Sequence, residues 1–105
     1  MTIAENSNLE IKQFIDANRE DIISISAKHG AFNIRLFGSV VRGEATSKSD
    51  IDFLIDYDID KISSWFPVGL IHELEALLGR KVDIVPADSI HVFIKERVLS
   101  EAIAL

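Results

Sequence analysis

Between residues 32 and 56 the chain alternates, turns and alternates again, and this stretch constrains its architecture more than any other. Phe32, Ile34 and Leu36 are spaced two apart among polar neighbours, the pattern of a half-buried strand. The run meets Gly38-Ser39, where glycine lets a backbone turn sharply or approach another group closely. A short helical turn from Val40 and a polar loop to Ser49 follow. Ile51, Phe53 and Ile55 then alternate as a second strand facing the core. Val82-Asp83-Ile84-Val85 predicts a third strand, closed by Pro86.

The remaining segments are helical in period. Leu9, Ile11, Phe14 and Ile15 share a helix face, and a second helical stretch carries Ile22, Ile23 and Ile25 before Gly30. Ser64 to Leu78 predicts a helix with Pro67 near its start. Its apolar stripe is Leu70, Ile71, Leu74, Leu77 and Leu78, with Gly79 as the stop. Asp88 or Ser89 is placed to cap a last helix that buries Val92, Val98, Leu99, Ala102 and Ile103. The order predicts an α/β fold with a mixed three- to four-stranded sheet flanked by helices. A single domain over residues 1–105 is expected, with residues 1–30 as its helical N-terminal part.

Charge and composition exclude several functions. The net charge of −6 disfavours direct binding to nucleic acid, which depends on Lys and Arg displacing counterions. Without cysteine there is neither a disulfide nor a thiolate metal site. The first residues carry no leader pattern, and no apolar run approaches the roughly 20 residues that span a bilayer. A cytoplasmic protein without membrane contact is expected.

Two residues apart on a strand, Asp50 and Asp52 project to the same side, opposite Ile51 and Phe53. They are either two solvated charges or, since neighbouring carboxylates repel, oxygen ligands for a divalent cation. Asp83 likewise points away from the core between Val82 and Ile84, and would join them if its strand lies alongside. Gly38-Ser39, between a strand and a helical turn, is either a plain turn or one whose N–H groups and hydroxyl meet phosphate.

Gly38-Ser39, ten intervening residues and Asp50-Ile51-Asp52 reproduce the G-S-x10-D-x-D signature. With FGSVVRGEATSKSDIDFLID, LLGRKVDIV and the closing ERVLSEAIAL, the chain resembles the minimal nucleotidyltransferase (MNT) group of the polymerase-β-like nucleotidyltransferase superfamily. The resemblance runs from about Ile34 to the C-terminus, and the N-terminal helices fit it too. It implies an MntA-like antitoxin that transfers AMP from ATP to a tyrosine hydroxyl of a HEPN-domain ribonuclease toxin, in a hetero-oligomeric complex. It further implies Mg²⁺, as two ions held by Asp50 and Asp52. Asp83 would serve the attacking hydroxyl, as a ligand or as proton acceptor, and Gly38 and Ser39 would hold the β- and γ-phosphates. Two other functions stay open: an antitoxin that works by binding alone, and a nucleotidyltransferase acting on a small molecule.

Arg42 can reach back over the helical turn to clamp the triphosphate, or it pairs with Glu44. Ser47 and Ser49 belong to the loop. Asp56, Asp58 and Asp60 open like a calcium loop, but Lys61 follows where glycine is required, so they read as a solvated acidic loop. His29, His72 and His91 lack ligand spacing. Trp65 and Phe66 suit either the core or a partner surface.

Overall fold

The computed structural model describes residues 3–105, with side chains described from residue 9 onward. Met1 and Thr2, part of the expected N-terminal helical segment, lie outside the described residues. Helix α1 spans Ile3–Ala17 and α2 spans Arg19–Lys28. The break between them falls at Asn18, whose side-chain amide and backbone N–H both donate to the Phe14 carbonyl. Ile11 and Ile15, one turn apart, are buried together with Ile22 of α2.

Strand β1 (Ala31–Phe37) leads into the one-turn helix α3 (Ser39–Arg42), and β2 (Ile51–Tyr57) returns antiparallel to β1. Helix α4 (Val68–Leu78) then crosses to β3 (Val82–Pro86), which pairs parallel with β2. A 3-10 turn at Ala87–Ser89 precedes α5 (Val92–Glu101), and a two-residue strand β4 (Ile103–Ala104) pairs antiparallel with β1. The result is the expected α/β fold, with a four-stranded mixed sheet in the order β3-β2-β1-β4. Ile51, Phe53 and Ile55 are fully buried against Leu70 and Leu74 of α4 and the α1–α2 pair. Leu54, on the opposite face of β2, and Val98 of α5 are buried outside that cluster. No helix among the described residues is long and apolar enough to cross a membrane.

The structure departs from the sequence pattern in four places. Phe32 is 54% exposed, not buried. A bulge between Phe32 and Arg35 inserts an extra residue, so Ala31 turns inward instead. Asn33 holds the bulge at φ 52°, a left-handed conformation asparagine tolerates, and its amide donates to Asp56. Asp56 is therefore no loop residue: it lies within β2, one residue before its end, paired with Arg35 at 3.1 Å. Next, α4 begins at Val68, because Ser63 organises a turn ahead of it by accepting the Trp65 and Phe66 N–H groups.

The last helix differs at both ends. His91 caps α5, its Nδ1 accepting from the Phe93 N–H, while Asp88 and Ser89 sit in the preceding 3-10 turn. At its other end α5 stops at Glu101, and the chain extends to pair with the free edge of β1. Satisfying the edge N–H and C=O groups outweighs the helical preference of Ala102 to Leu105. Val92, Leu99 and Ile103, expected in the core, are exposed, and Val98 alone of the predicted set is buried.

One contact sets the position of the β2 entry. Arg80, in the α4–β3 turn, donates from Nη2 to the carbonyls of Thr46 and Ser49 at 3.0 and 2.7 Å. The Ile51 N–H reaches the Lys81 carbonyl beside it. Asp50 lies between these anchors. Arg80→Lys, which keeps the charge but loses the fork, is expected to cost about 1 kcal/mol of stability. Denaturant melts read that loss. Unchanged stability would show that Arg80 does not anchor the β2 entry.

Candidate active site

Gly38 leaves β1 with φ 81° and ψ −152°, in the left-handed half of backbone space. A Cβ at this position would overlap the Asp52 carboxylate, so two separate constraints demand glycine. The turn of α3 that follows is pinned to the core by Val40, which is fully buried, and is closed by the Glu44 N–H on the Ser39 carbonyl. Among the described residues the Ser39 hydroxyl has no hydrogen-bond partner, and Ser39 is half-buried beside the turn.

Sheet register brings the acidic residues to one place. Asp52 lies opposite Phe37, just before the Gly38 turn, and level with Asp83 on the parallel neighbour β3. Level residues on adjacent strands share a face, so Asp52 and Asp83 belong to one side of the sheet. Asp50, expected on the strand, instead lies one residue ahead of β2, near enough for its charge to act on Asp52. Asp50 and Asp83 are exposed and Asp52 is half-buried. Burial raises the Asp52 carboxyl from its ordinary 3.8 to about 6, helped by the charges of Asp83 and Asp50 and opposed by Arg42.

Among the described residues, no three acidic or histidine side chains stand close enough together to enclose a metal ion. Strand register sets Asp52 level with Asp83, and Asp50 precedes the strand, without the three clasping a common point. Their chemistry nevertheless fits a hard divalent cation: all donors are carboxylate oxygens, and the repulsion that raises Asp52 is what a cation relieves.

Arg42 stands near enough for its charge to act on Asp52. Its Nε donates to Glu44 at 2.8 Å, the pairing considered from sequence, and its Nη1 reaches both carboxylate oxygens of Glu101. Both acids raise the Arg42 pKa, Glu44 most. Glu101 also accepts the Gly38 N–H at 2.8 Å. Burial pushes the Glu101 carboxyl up, but the Gly38 N–H and Arg42 together outweigh it and hold Glu101 below the usual glutamate value.

Glu101 was not among the site residues expected from sequence. One signal was available. It ends a helix with no basic residue in its last turn, where the helix dipole disfavours an acid, so a cationic or N–H partner from elsewhere was required.

The other polar candidates lie in structural roles. Ser49 accepts the Thr46 N–H within the loop. His29 bonds Glu73, and His91 is the α5 cap. Asp58 accepts the Asp60 N–H. Phe66 packs against Tyr57 with ring centroids 5.5 Å apart and the planes tilted by 42°, whereas Trp65 is 78% exposed. A cleft of about 450 Å³ opens between α1 and β4, and none of the three aspartates lines it.

Residues 11–105 match the family described as "Nucleotidyltransferase domain". A Methanocaldococcus jannaschii protein, named as a candidate protein adenylyltransferase, is 40% identical over 89 residues, or 85% of this chain and 95% of that protein. The protein adenylyltransferase MntA of Thermococcus cleftensis is 37% identical over 95 residues, 90% of this chain and 91% of its own length. A solved structure of a candidate minimal nucleotidyltransferase superposes with a TM-score of 0.78 at 41% identity, covering 89% of this chain and 94% of the other. A crystal structure of a toxin–antitoxin with AMP-PNP gives 0.68 at 25% identity, covering 83% of this chain and 71% of the other.

Proposed function

We propose, from the premise that this chain belongs to the nucleotidyltransferase domain family, that residues 1–105 act as one minimal domain that adenylylates a partner protein. The chain is a nucleotidyltransferase enzyme of MntA-like type. In the proposed reaction a tyrosine hydroxyl of a HEPN-type ribonuclease toxin attacks the α-phosphate of ATP. The new bond joins that oxygen to the α-phosphorus, the bond to the bridging oxygen breaks, and pyrophosphate leaves with its electron pair. The observation that carries this reading is the register of Asp52 with Asp83, beside Asp50 and the Gly38 turn.

Each residue has a task in it. Asp50 and Asp52 hold Mg²⁺, two ions in this reading. When bound, the metal supplies charge neutralisation around the transferring phosphate. Asp83, exposed at the rim, orients the acceptor hydroxyl or takes its proton. Gly38 offers a backbone N–H and Ser39 its hydroxyl to the β- and γ-phosphates, and Arg42 clamps the same oxygens.

Two things favour a protein acceptor. Asp50 and Asp83 are exposed, and none of the three aspartates lines the cleft of about 450 Å³, so an acceptor that brings its own surface suits them. The matched relatives are also named as protein adenylyltransferases, and a solved neighbour is a toxin–antitoxin structure with AMP-PNP.

Intact-mass analysis of the partner toxin after incubation with this protein, Mg²⁺ and ATP tests the reading. Wild type is expected to add AMP units. Asp50→Asn, an exposed isosteric change, is expected to add none while remaining folded. If Asp50→Asn silences the toxin as well as wild type with no mass gained, neutralisation works by binding alone.

A further inference from the structure

Glu101 holds the donors that the preceding section assigns to the triphosphate. It is the last residue of α5, and its side chain is only 15% exposed. One carboxylate oxygen takes the Gly38 N–H at 2.8 Å, and both face Arg42 Nη1, at 3.3 and 3.2 Å. The Gly38 N–H has a single proton, so it cannot serve Glu101 and a phosphate oxygen at full strength together. Arg42 differs: its Nε stays on Glu44 at 2.8 Å, so the guanidinium keeps its place if Glu101 departs. A fourth carboxylate thus bears on the patch already occupied by Asp50, Asp52 and Asp83, and a triphosphate entering beside it would meet direct repulsion.

We propose that Glu101 is an internal anion of the triphosphate site, occupying the Gly38 N–H and the Arg42 guanidinium until the phosphates of a nucleoside triphosphate displace it. This rests on the assignment of Gly38 and Arg42 to the triphosphate. It makes entry a competition between anions. A ligand with β- and γ-phosphates can replace both contacts of Glu101, whereas adenosine replaces neither. The contact therefore selects for the charged tail of the substrate and keeps the donors paired when no nucleotide is bound.

The test is calorimetric titration of the whole chain with AMP-PNP and Mg²⁺, comparing wild type, Glu101→Gln and Arg42→Ala. Glu101→Gln keeps the shape and removes the competing charge, and it is expected to bind AMP-PNP about tenfold tighter, the scale of one charge-assisted contact. Adenosine binding should not change. If Arg42→Ala weakens AMP-PNP binding but Glu101→Gln binds no tighter, the phosphate site stands and the role of Glu101 is overturned. If Arg42→Ala binds as wild type does, the assignment of the phosphate site itself fails. Should Glu101→Gln not fold, wild type carries the same test by NMR. The Glu101 carboxyl and Gly38 amide signals should move together as AMP-PNP is added, and a Glu101 signal that stays still overturns the proposal.

Discussion

Asp52→Asn is expected to abolish nucleotidyl transfer and, in chelator, to make the domain more stable at neutral pH. The loss of activity follows from removing a carboxylate central to the cluster, level with Asp83 and two residues from Asp50, and should be about a thousandfold or more. The gain in stability follows from the sign of its shift. Folding raises the Asp52 carboxyl from 3.8 to about 6, so the folded chain binds that proton more tightly than the unfolded one. Stability is then undiminished below the unfolded value, declines as pH rises through this interval, and levels off above it.

A shift of this size corresponds to nearly 3 kcal/mol in full, but Asp52 is half-exposed, and screening leaves about 1 kcal/mol. Asparagine has the same shape without the charge. Melts of the two proteins in chelator should coincide near pH 4 and separate by about 5 °C at pH 7. Added Mg²⁺ should then raise the wild-type melting temperature more than that of Asp52→Asn, since a ligand stabilises the state that binds it. Equal melting temperatures at pH 7 in chelator would mean that the Asp52 charge is not under strain.

Gly38→Ala is expected to damage both fold and activity. At φ 81° alanine carries roughly 1–2 kcal/mol of backbone strain, and its methyl group overlaps the Asp52 carboxylate, adding about 1–3 kcal/mol as the turn shifts. The total is about 3 kcal/mol, a large part of the stability of a small domain. The two causes are separable. Asp52→Ala removes the carboxylate but not the strain, so the double variant should recover about half the loss. Denaturant unfolding of the single and double variants forms a double-mutant cycle that reads this coupling. Additive losses would place the whole cost in the backbone.

How legible the molecule is from its sequence depends on which interactions decide each part. The sheet strands carrying Asp52 and Asp83 follow from alternation, because Ile51, Phe53 and Ile55 have one core to enter and the aspartates are left on the other face. The spacing of Gly38-Ser39 from Asp50 and Asp52 marks the candidate site in the sequence alone, and the register of β2 with β3 sets Asp83 level with Asp52. Where long-range pairing overrides local preference, the reading fails. The bulge at Asn33 turns Phe32 outward by one inserted residue, which no alternation pattern reveals. The pairing of Ile103 and Ala104 with β1 ends α5 at Glu101 and so delivers that carboxylate to the Gly38 turn. Glu101 was hidden for the same reason: its partners Gly38 and Arg42 lie about 60 residues away in sequence, and only the fold joins them.

The most direct measurement of the central claim uses ATP labelled in turn at the α- and the γ-phosphate, with Mg²⁺, the partner protein, and either wild type or Asp50→Asn. The account predicts that wild type passes the α-label to the partner and never the γ-label, and that Asp50→Asn passes neither. Transfer of the γ-label would make the chain a kinase. Transfer of the α-label by Asp50→Asn at the wild-type rate would remove the carboxylate cluster from the chemistry.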